Sequence, residues 1–208
     1  MMKILITAGP TREPIDPVRY IGNRSSGRMG AALAEAGLAA GHAVTLIVGP
    51  VSVAMPAEAV RINVETAAQM HEAVMREFPS HALLIMAAAV ADYRPKSISR
   101  GKISRHGALT IECEPTQDII AAAGRIKRPD QRTVGFSLEG GGTLDRAREK
   151  LLAKNLDLIV YNSIATMESE SIEPTLLWRD GRTASLPAGL KTQFAESLIR
   201  HAVALVPG

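Results

Sequence analysis

The stretch KILITAGPTREPIDPVRYIGNRSSGRMGAALAEAGLAAGHAVTLIV, residues 3–48, decides the fold. It opens on one aliphatic run, Lys3–Thr7, and closes on another, Ala43–Val48, both of the kind that forms buried parallel strands. Between them Met29, Ala32, Leu33, Ala36 and Ala40 recur at helical spacing, which predicts a helix from about Gly27 to Ala40, ended by Gly41. A strand-to-helix loop in such a unit usually needs about two to six residues. Here Ala8 to Gly30 intervene, carrying four arginines, two acids, several prolines and a Ser-Ser-Gly helix entry. A loop that long and polar is either disordered or built to hold something.

The alternation continues outward. Val60–Val64 reads as a third strand, and Ala67–Phe78 as a helix with Met70, Val74 and Phe78 on one face, stopped by Pro79. Ala82–Met86 reads as a central strand, followed by a Pro- and Ser-containing loop over Ala87–Gly107. Further on the pattern predicts a strand at Leu109–Cys113, a helix at Asp118–Ile126, a strand at Thr133–Ser137, a helix at Leu144–Lys154 and a strand at Leu156–Tyr161. Asp180-Gly181 between TLLWR and RTASL marks a β-hairpin over Pro174–Leu186, and Lys191–Val206 is a last amphipathic helix. Alternating β and α predicts a Rossmann-like, doubly wound, mostly parallel sheet with a β-hairpin arm near the C-terminus, and ligands at the carboxyl ends of the strands.

Composition sets bounds. With 208 residues, 46% hydrophobic and 22% charged, the chain fits a single globular domain spanning 1–208. A net charge of +3 is a mild basic lean. Arg94, Lys96, Arg100, Lys102 and Arg105 crowd one stretch without an intervening acid, but only Tyr93 lies nearby. Single-strand nucleic-acid binders interleave such charge with stacking aromatics, so a small phosphorylated ligand is the better expectation. Cys113 is the only cysteine, which excludes an intrachain disulfide and a multi-cysteine metal site. The apolar run Ala82–Ala91 is too short to cross a bilayer, and the N-terminus lacks a signal-peptide core. The expectation is a cytoplasmic protein with no membrane or nucleic-acid partner.

The unusual polar segments all follow predicted strands, which gathers them at one sheet edge. Ser25 and Ser26 precede Gly27-Arg28-Met29-Gly30, so a hydroxyl could cap the helix while free N–H groups face a phosphate. The plain alternative is a capped helix with a close-packing glycine. The dinucleotide fingerprint Gly-x-Gly-x-x-Gly is absent. Asn23 could serve a reacting carboxyl group or be a turn former. In AAAVADYRP, Asp92 follows a buried strand, as a ribose or metal ligand or a loop cap. Lys102 in GKISR is by default a solvated charge, and Phe136 in VGF by default core. Lys150 and Lys154 share a helix face, where they repel unless an anion lies between them. Histidines 42, 71, 81, 106 and 201 show no ligand spacing, and no Ser-His-Asp set or Walker lysine is present. The residues alone thus reach an α/β protein binding a phosphorylated, nucleotide-like ligand. They leave open a flavin- or nicotinamide-dependent oxidoreductase and a non-catalytic nucleotide-binding module.

A resemblance goes further. ITAGPTREPIDPVRYIGNRSSGRMG, AAAVADYRP, GKISR, VGF and KNLDLIVYN resemble, in order and spacing, the successive signatures of the phosphopantothenoylcysteine synthetase family. The resemblance covers nearly the whole chain. It implies ligation of 4'-phosphopantothenate to L-cysteine with CTP and a divalent cation, Mg²⁺ or Mn²⁺, through an acyl-cytidylate. By motif it places Asn23 at the acyl-nucleotide, and Lys102 at the phosphates and the second half-reaction. Gly9, Met86, Ala87, Ala88, Asp92, Phe136, Lys150 and Lys154 fall at the nucleotide. Gln117-Asp118-Ile119-Ile120 stands where the family commonly has Pro-Asp-Ile-Val, and SLEGG replaces the commoner AAET after Phe136. No metal ligand is assigned. The resemblance also implies a homodimer, with the hairpin at Asp180-Gly181 as a candidate exchange arm. A flavin-dependent decarboxylase is the implied fused or separate partner, and its active-site motifs are not among these residues.

Overall fold

A computed structural model describes residues 1–139, 144–163 and 171–207. The chain begins with β1 (Lys3–Ala8), a two-stranded ribbon of β2 (Arg12–Pro14) and β3 (Tyr20–Gly22), then α1 (Arg28–Ala39), β4 (Ala43–Val48) and β5 (Val60–Asn63). It continues through α2 (Ala67–Glu77), β6 (Leu83–Met86), a second ribbon of β7 (Tyr93–Pro95) and β8 (Cys113–Pro115), α3 (Ile119–Ile126) and β9 (Arg132–Glu139). It ends with α4 (Leu144–Ala153), β10 (Leu158–Ser163), β11 (Ser171–Ile172), β12 (Thr175–Trp178), β13 (Thr183–Ser185), β14 (Gly189–Leu190) and α5 (Lys191–Val203).

Eight strands form one sheet in the order β13-β12-β10-β9-β6-β1-β4-β5. From β10 to β5 every neighbouring pair is parallel, while β12 and β13 add antiparallel pairings at one edge. The chain runs from β1 outward to β4 and β5, then returns to the other side of β1 as β6 before continuing to β9 and β10. The order therefore reverses between β1 and β6, which is where a doubly wound sheet opens a crevice at its carboxyl edge.

Strand side chains alternate between two layers. Ile4, Ile6, Leu46, Leu83 and Ile85 pack with Leu33 of α1 and Phe194, Leu198 and Ala202 of α5. On the opposite face Leu5, Ile47 and Leu84 meet Met70 and Val74 of α2, Phe78, and Ala123 of α3. Ala147 and Leu151 of α4 cover Ile159 and Leu177. Each helix is apolar on the face it buries, so burial rather than propensity selects its register. Thr66 caps α2 in a reciprocal box with Gln69, and Glu13 of the first ribbon accepts from the Ala67 N–H at 2.7 Å. That bond ties the long loop after β1 to the sheet's second face.

Three expectations shift. The strand predicted at Leu109–Cys113 lies instead at Cys113–Pro115, opposite Tyr93–Pro95 in a loop expected to be irregular. The predicted hairpin forms, but it extends the main sheet through β12 and β13 instead of projecting as an arm. The basic stretch finds its acids across the second ribbon: Arg94 pairs with Glu114 at 2.8 Å and Lys96 with Glu112 at 3.5 Å. Among the described residues no helix is long and apolar enough to cross a membrane.

Candidate functional site

A cleft of about 900 Å³ opens at the carboxyl edge over the β1–β6 reversal. Three loops and the N-termini of three helices build it.

The loop after β6 forms one wall through Met86, Ala87, Ala88 and Asp92. It is stitched to the loop after β1: Thr7 Oγ1 accepts from the Ala88 N–H at 3.1 Å, the Gly9 carbonyl from Ala89 at 2.9 Å, and Thr11 Oγ1 from Ala91 at 2.9 Å. Both threonines are fully buried, so these bonds hold the two loops in one register. Gly9 therefore supports the wall and does not line the cleft. Asp92 is exposed, and its carbonyl accepts from Thr116 at 2.9 Å, which brings the loop before α3 alongside.

The opposite wall is the start of α1. Its N-cap is Gly27 at φ 80°, a left-handed conformation that side chains with a Cβ rarely adopt. Ser25 and Ser26 do not cap the helix: their hydroxyls reach only the Gly27 and Arg28 N–H groups, at 3.4 and 3.5 Å. With Gly27 itself in the cap position the serines stand too early in the chain to satisfy the first turn. Among the described residues the Met29 and Gly30 N–H groups have no partner, so the helix presents free donors to the cleft. Gly30 lets α1 lie against β1, since a Cβ there would stand 2.3 Å from the Ala8 Cβ.

Asn23 lines the cleft and donates from Nδ2 to the Val90 carbonyl at 2.8 Å. Gln117, Asp118, Ile119 and Ile120 line it at the start of α3, with Asp118 capping that helix through the Ala121 N–H at 3.0 Å. Half-buried Phe136 comes from the middle of β9, packs against the sheet core and lines the cleft. Lys154 lines the cleft and pairs with Asp118 at 3.0 Å. Asp118 thus gives Lys154 an acid within the protein, so the shared face of Lys150 and Lys154 does not by itself call for a bound anion. Lys150 donates to Ser137 Oγ at 3.3 Å and is not part of the cleft wall.

Lys102 also lies outside the cleft, on an exposed loop. The neighbouring Ile103 is clasped from the first ribbon: Asp16 Oδ2 accepts from its N–H at 3.1 Å and Arg19 donates to its carbonyl at 2.8 Å. Asp16 is 3% exposed and ion-paired with Arg19. The Arg19 guanidinium holds the Asp16 carboxyl well below the usual carboxylate range. Burial opposes the shift, and the N–H groups of Ile103, Val18 and Arg19 reinforce it.

Sequence reading missed three cations on the cleft wall: Arg24, Arg28 at the first position of α1 and Lys191 at the first position of α5. Burial, with Arg28 nearby, pushes the Lys191 ammonium below its ordinary pKa. A signal was present. A cation in a helix's first turn opposes the macrodipole, and neither helix carries an acid there. Among the described residues no group of three or more His, Cys, Asp or Glu could hold a metal ion. Cys113 is a half-buried free thiol away from the cleft wall.

Comparisons with known proteins agree with this architecture. The model of the DNA/pantothenate metabolism flavoprotein C-terminal domain family matches residues 1–205. The coenzyme A biosynthesis bifunctional protein CoaBC of Vibrio cholerae is 43% identical over 204 residues, covering 95% of this chain and 51% of that protein. CoaBC of Bacillus subtilis is 40% identical over 208 residues, with 97% and 51% covered. The chain thus spans about half the length of the curated relatives it matches. The crystal structure of the C-terminal domain of CoaBC superposes with a TM-score of 0.84 at 38% identity, over 96% of this chain and 93% of that one. Matched from end to end by the family model and by a solved C-terminal domain, this chain belongs to the DNA/pantothenate metabolism flavoprotein C-terminal domain family.

Proposed function

We propose that the chain is a phosphopantothenate–cysteine ligase domain of coenzyme A biosynthesis, spanning 1–208 and acting in the cytoplasm on 4'-phosphopantothenate, L-cysteine and CTP. The observation that carries the reading is the cleft itself. Free helix N–H groups stand opposite the loop bearing Asp92, with Asn23 fastened between the two sides. The match to the CoaBC C-terminal domain supplies the reaction class.

In this reading the α1 N-terminus receives phosphate oxygens, while Asp92, Phe136 and Lys154 border the nucleoside. A carboxylate oxygen of phosphopantothenate attacks the α-phosphorus and pyrophosphate leaves. The cysteine amine then attacks the acyl carbon and CMP leaves, taking the former carboxylate oxygen with it. The protein's part is positioning and charge stabilisation, which such transfers chiefly require. Asn23 holds the acyl group near the α-phosphorus. Lys102 serves the phosphates only after its loop swings inward from its clasp on Asp16 and Arg19.

The donor set suits a magnesium or manganese ion that arrives with the triphosphate. The cleft offers single carboxylates, Asp92 and Asp118, and magnesium is commonly held by one or two carboxylates plus phosphates. Such an ion neutralises phosphate charge. The homodimer reading now rests on a different surface from the hairpin: Val18, Tyr20, Tyr93 and Ile98 are exposed apolar side chains on the two ribbons and their loops. A flavin-dependent decarboxylase remains the proposed fused or separate partner, in keeping with relatives about twice as long.

The test is pyrophosphate release with CTP and ATP assayed side by side. The reading expects release that requires phosphopantothenate and prefers CTP. Equal rates with ATP sink the nucleotide assignment, and release without phosphopantothenate sinks the ligase.

A further inference from the structure

Arg28 and Lys191 stand on the same cleft wall, at the first positions of two helices packed side by side. Each is placed against its helix dipole, where a cation in the first turn is disfavoured. Among the described residues neither has an acidic partner within ion-pair distance. Lys154, on the same cleft, does have an acid, Asp118 at 3.0 Å. Two like charges therefore stand near each other on the cleft wall, exposed Arg28 beside half-buried Lys191, and among the described residues no acid pairs with either. Lys191 registers the strain, since burial and Arg28 both disfavour its charged form. Local rules broken together at a cleft point to a bound group that repairs them.

We propose that Arg28 and Lys191 form a two-cation clamp for a phosphate group of the bound ligand, gripping it beside the free N–H groups of Met29 and Gly30. This deepens the site's proposed function and rests on the cleft taking a phosphorylated ligand. The phosphate could be the nucleotide's triphosphate or the phosphomonoester of the acid substrate. Both share the chemistry of a multiply charged oxyanion, for which a planar guanidinium and an ammonium are complementary donors.

The experiment uses Lys191→Met, Lys191→Arg and Arg28→Met. It has three readouts: melting temperature without ligand, binding of inorganic tripolyphosphate by calorimetry, and KM for CTP and for phosphopantothenate separately. The clamp predicts that Lys191→Met does not lower the melting temperature, because it removes an unfavourable charge. It predicts tripolyphosphate binding weakened about tenfold or more, as losing one charged hydrogen-bond donor would do, with Lys191→Arg restoring most of it. It also predicts a raised KM for one substrate with kcat little changed, and which KM rises identifies the phosphate. Unchanged tripolyphosphate binding and unchanged KM values in Lys191→Met overturn the clamp while leaving the ligase reading intact. A lowered melting temperature with unchanged binding shows a packing role and also overturns it. Tripolyphosphate binding that depends on Lys191 in a protein without ligase turnover keeps the clamp and removes the ligase.

Discussion

Asn23 donates to the Val90 carbonyl over 2.8 Å, so the loop after β1 is fastened to the loop after β6 across the mouth of the cleft. An aspartate in its place has no donor for that carbonyl and sets a negative charge where a carboxylate and a phosphate must meet. Asn23→Asp is expected to keep the fold, because the residue is exposed. It should slow acyl-cytidylate formation by about tenfold or more, the value of one hydrogen bond to a charged group. Rapid-quench turnover with labelled CTP reads this, and an unchanged burst removes Asn23 from the reaction.

Lys102 stands outside the cleft, its loop held by the clasp of Asp16 and Arg19 on Ile103 and by the Ser99 N–H donating to the Ile15 carbonyl at 3.0 Å. If the loop closes over the nucleotide, Lys102→Gln should lower turnover by about a hundredfold, as loss of a donor to developing charge does. Its melting temperature should stay that of the parent. Arg100→Gln and Arg105→Gln should cost far less. Steady-state kinetics on the three variants decide it; equal effects would reduce the segment to a solvated basic loop.

The main sheet was legible because its strands are buried on both faces and read as short aliphatic runs, such as Ile4–Ile6 and Leu83–Met86. What sequence misplaced depends on partners far along the chain. Cys113–Pro115 becomes a strand because Tyr93–Pro95 pairs with it, an alignment no local pattern encodes. Lys154 pairs with Asp118, thirty-six positions earlier by subtraction of their numbers, so its helix neighbour Lys150 was a poor guide. Asn23, Asp92 and Phe136 were found through motif, and the fold brings them to one cleft. Lys191 looked like an ordinary first residue of an amphipathic helix, and only the packing of α5 against α1 carries it there.

Asp16→Asn removes the partner of Arg19 and weakens the hold on Ile103. Because the folded carboxyl titrates below its unfolded value of about 3.9, its stabilisation is present above that pH and is lost as pH falls through the folded value. The variant should melt lower than the parent at pH 7, and the gap should narrow below about pH 4. Melting curves from pH 7 to 2.5 check this; a constant gap would mean the charge of Asp16 is not what stabilises the loop.

Gly30→Ala places a methyl group 2.3 Å from the Ala8 Cβ and 3.0 Å from its Cα, atoms that no side-chain rotation can move away. α1 must lift from β1, at a cost of about 1–3 kcal/mol for overpacking. Denaturant unfolding measures the loss, and tripolyphosphate binding should weaken with it because the helix N-terminus moves. A variant as stable as the parent would show that α1 and β1 are not in such close contact.

In the proposed reaction the carboxylate of the acid substrate is joined to the nucleotide's α-phosphorus before cysteine arrives. Phosphopantothenate labelled with oxygen-18 in its carboxylate, turned over with CTP and L-cysteine, tests it most directly by mass spectrometry of the CMP. One labelled oxygen in CMP is expected for each amide formed. Unlabelled CMP alongside labelled phosphate or pyrophosphate would contradict it.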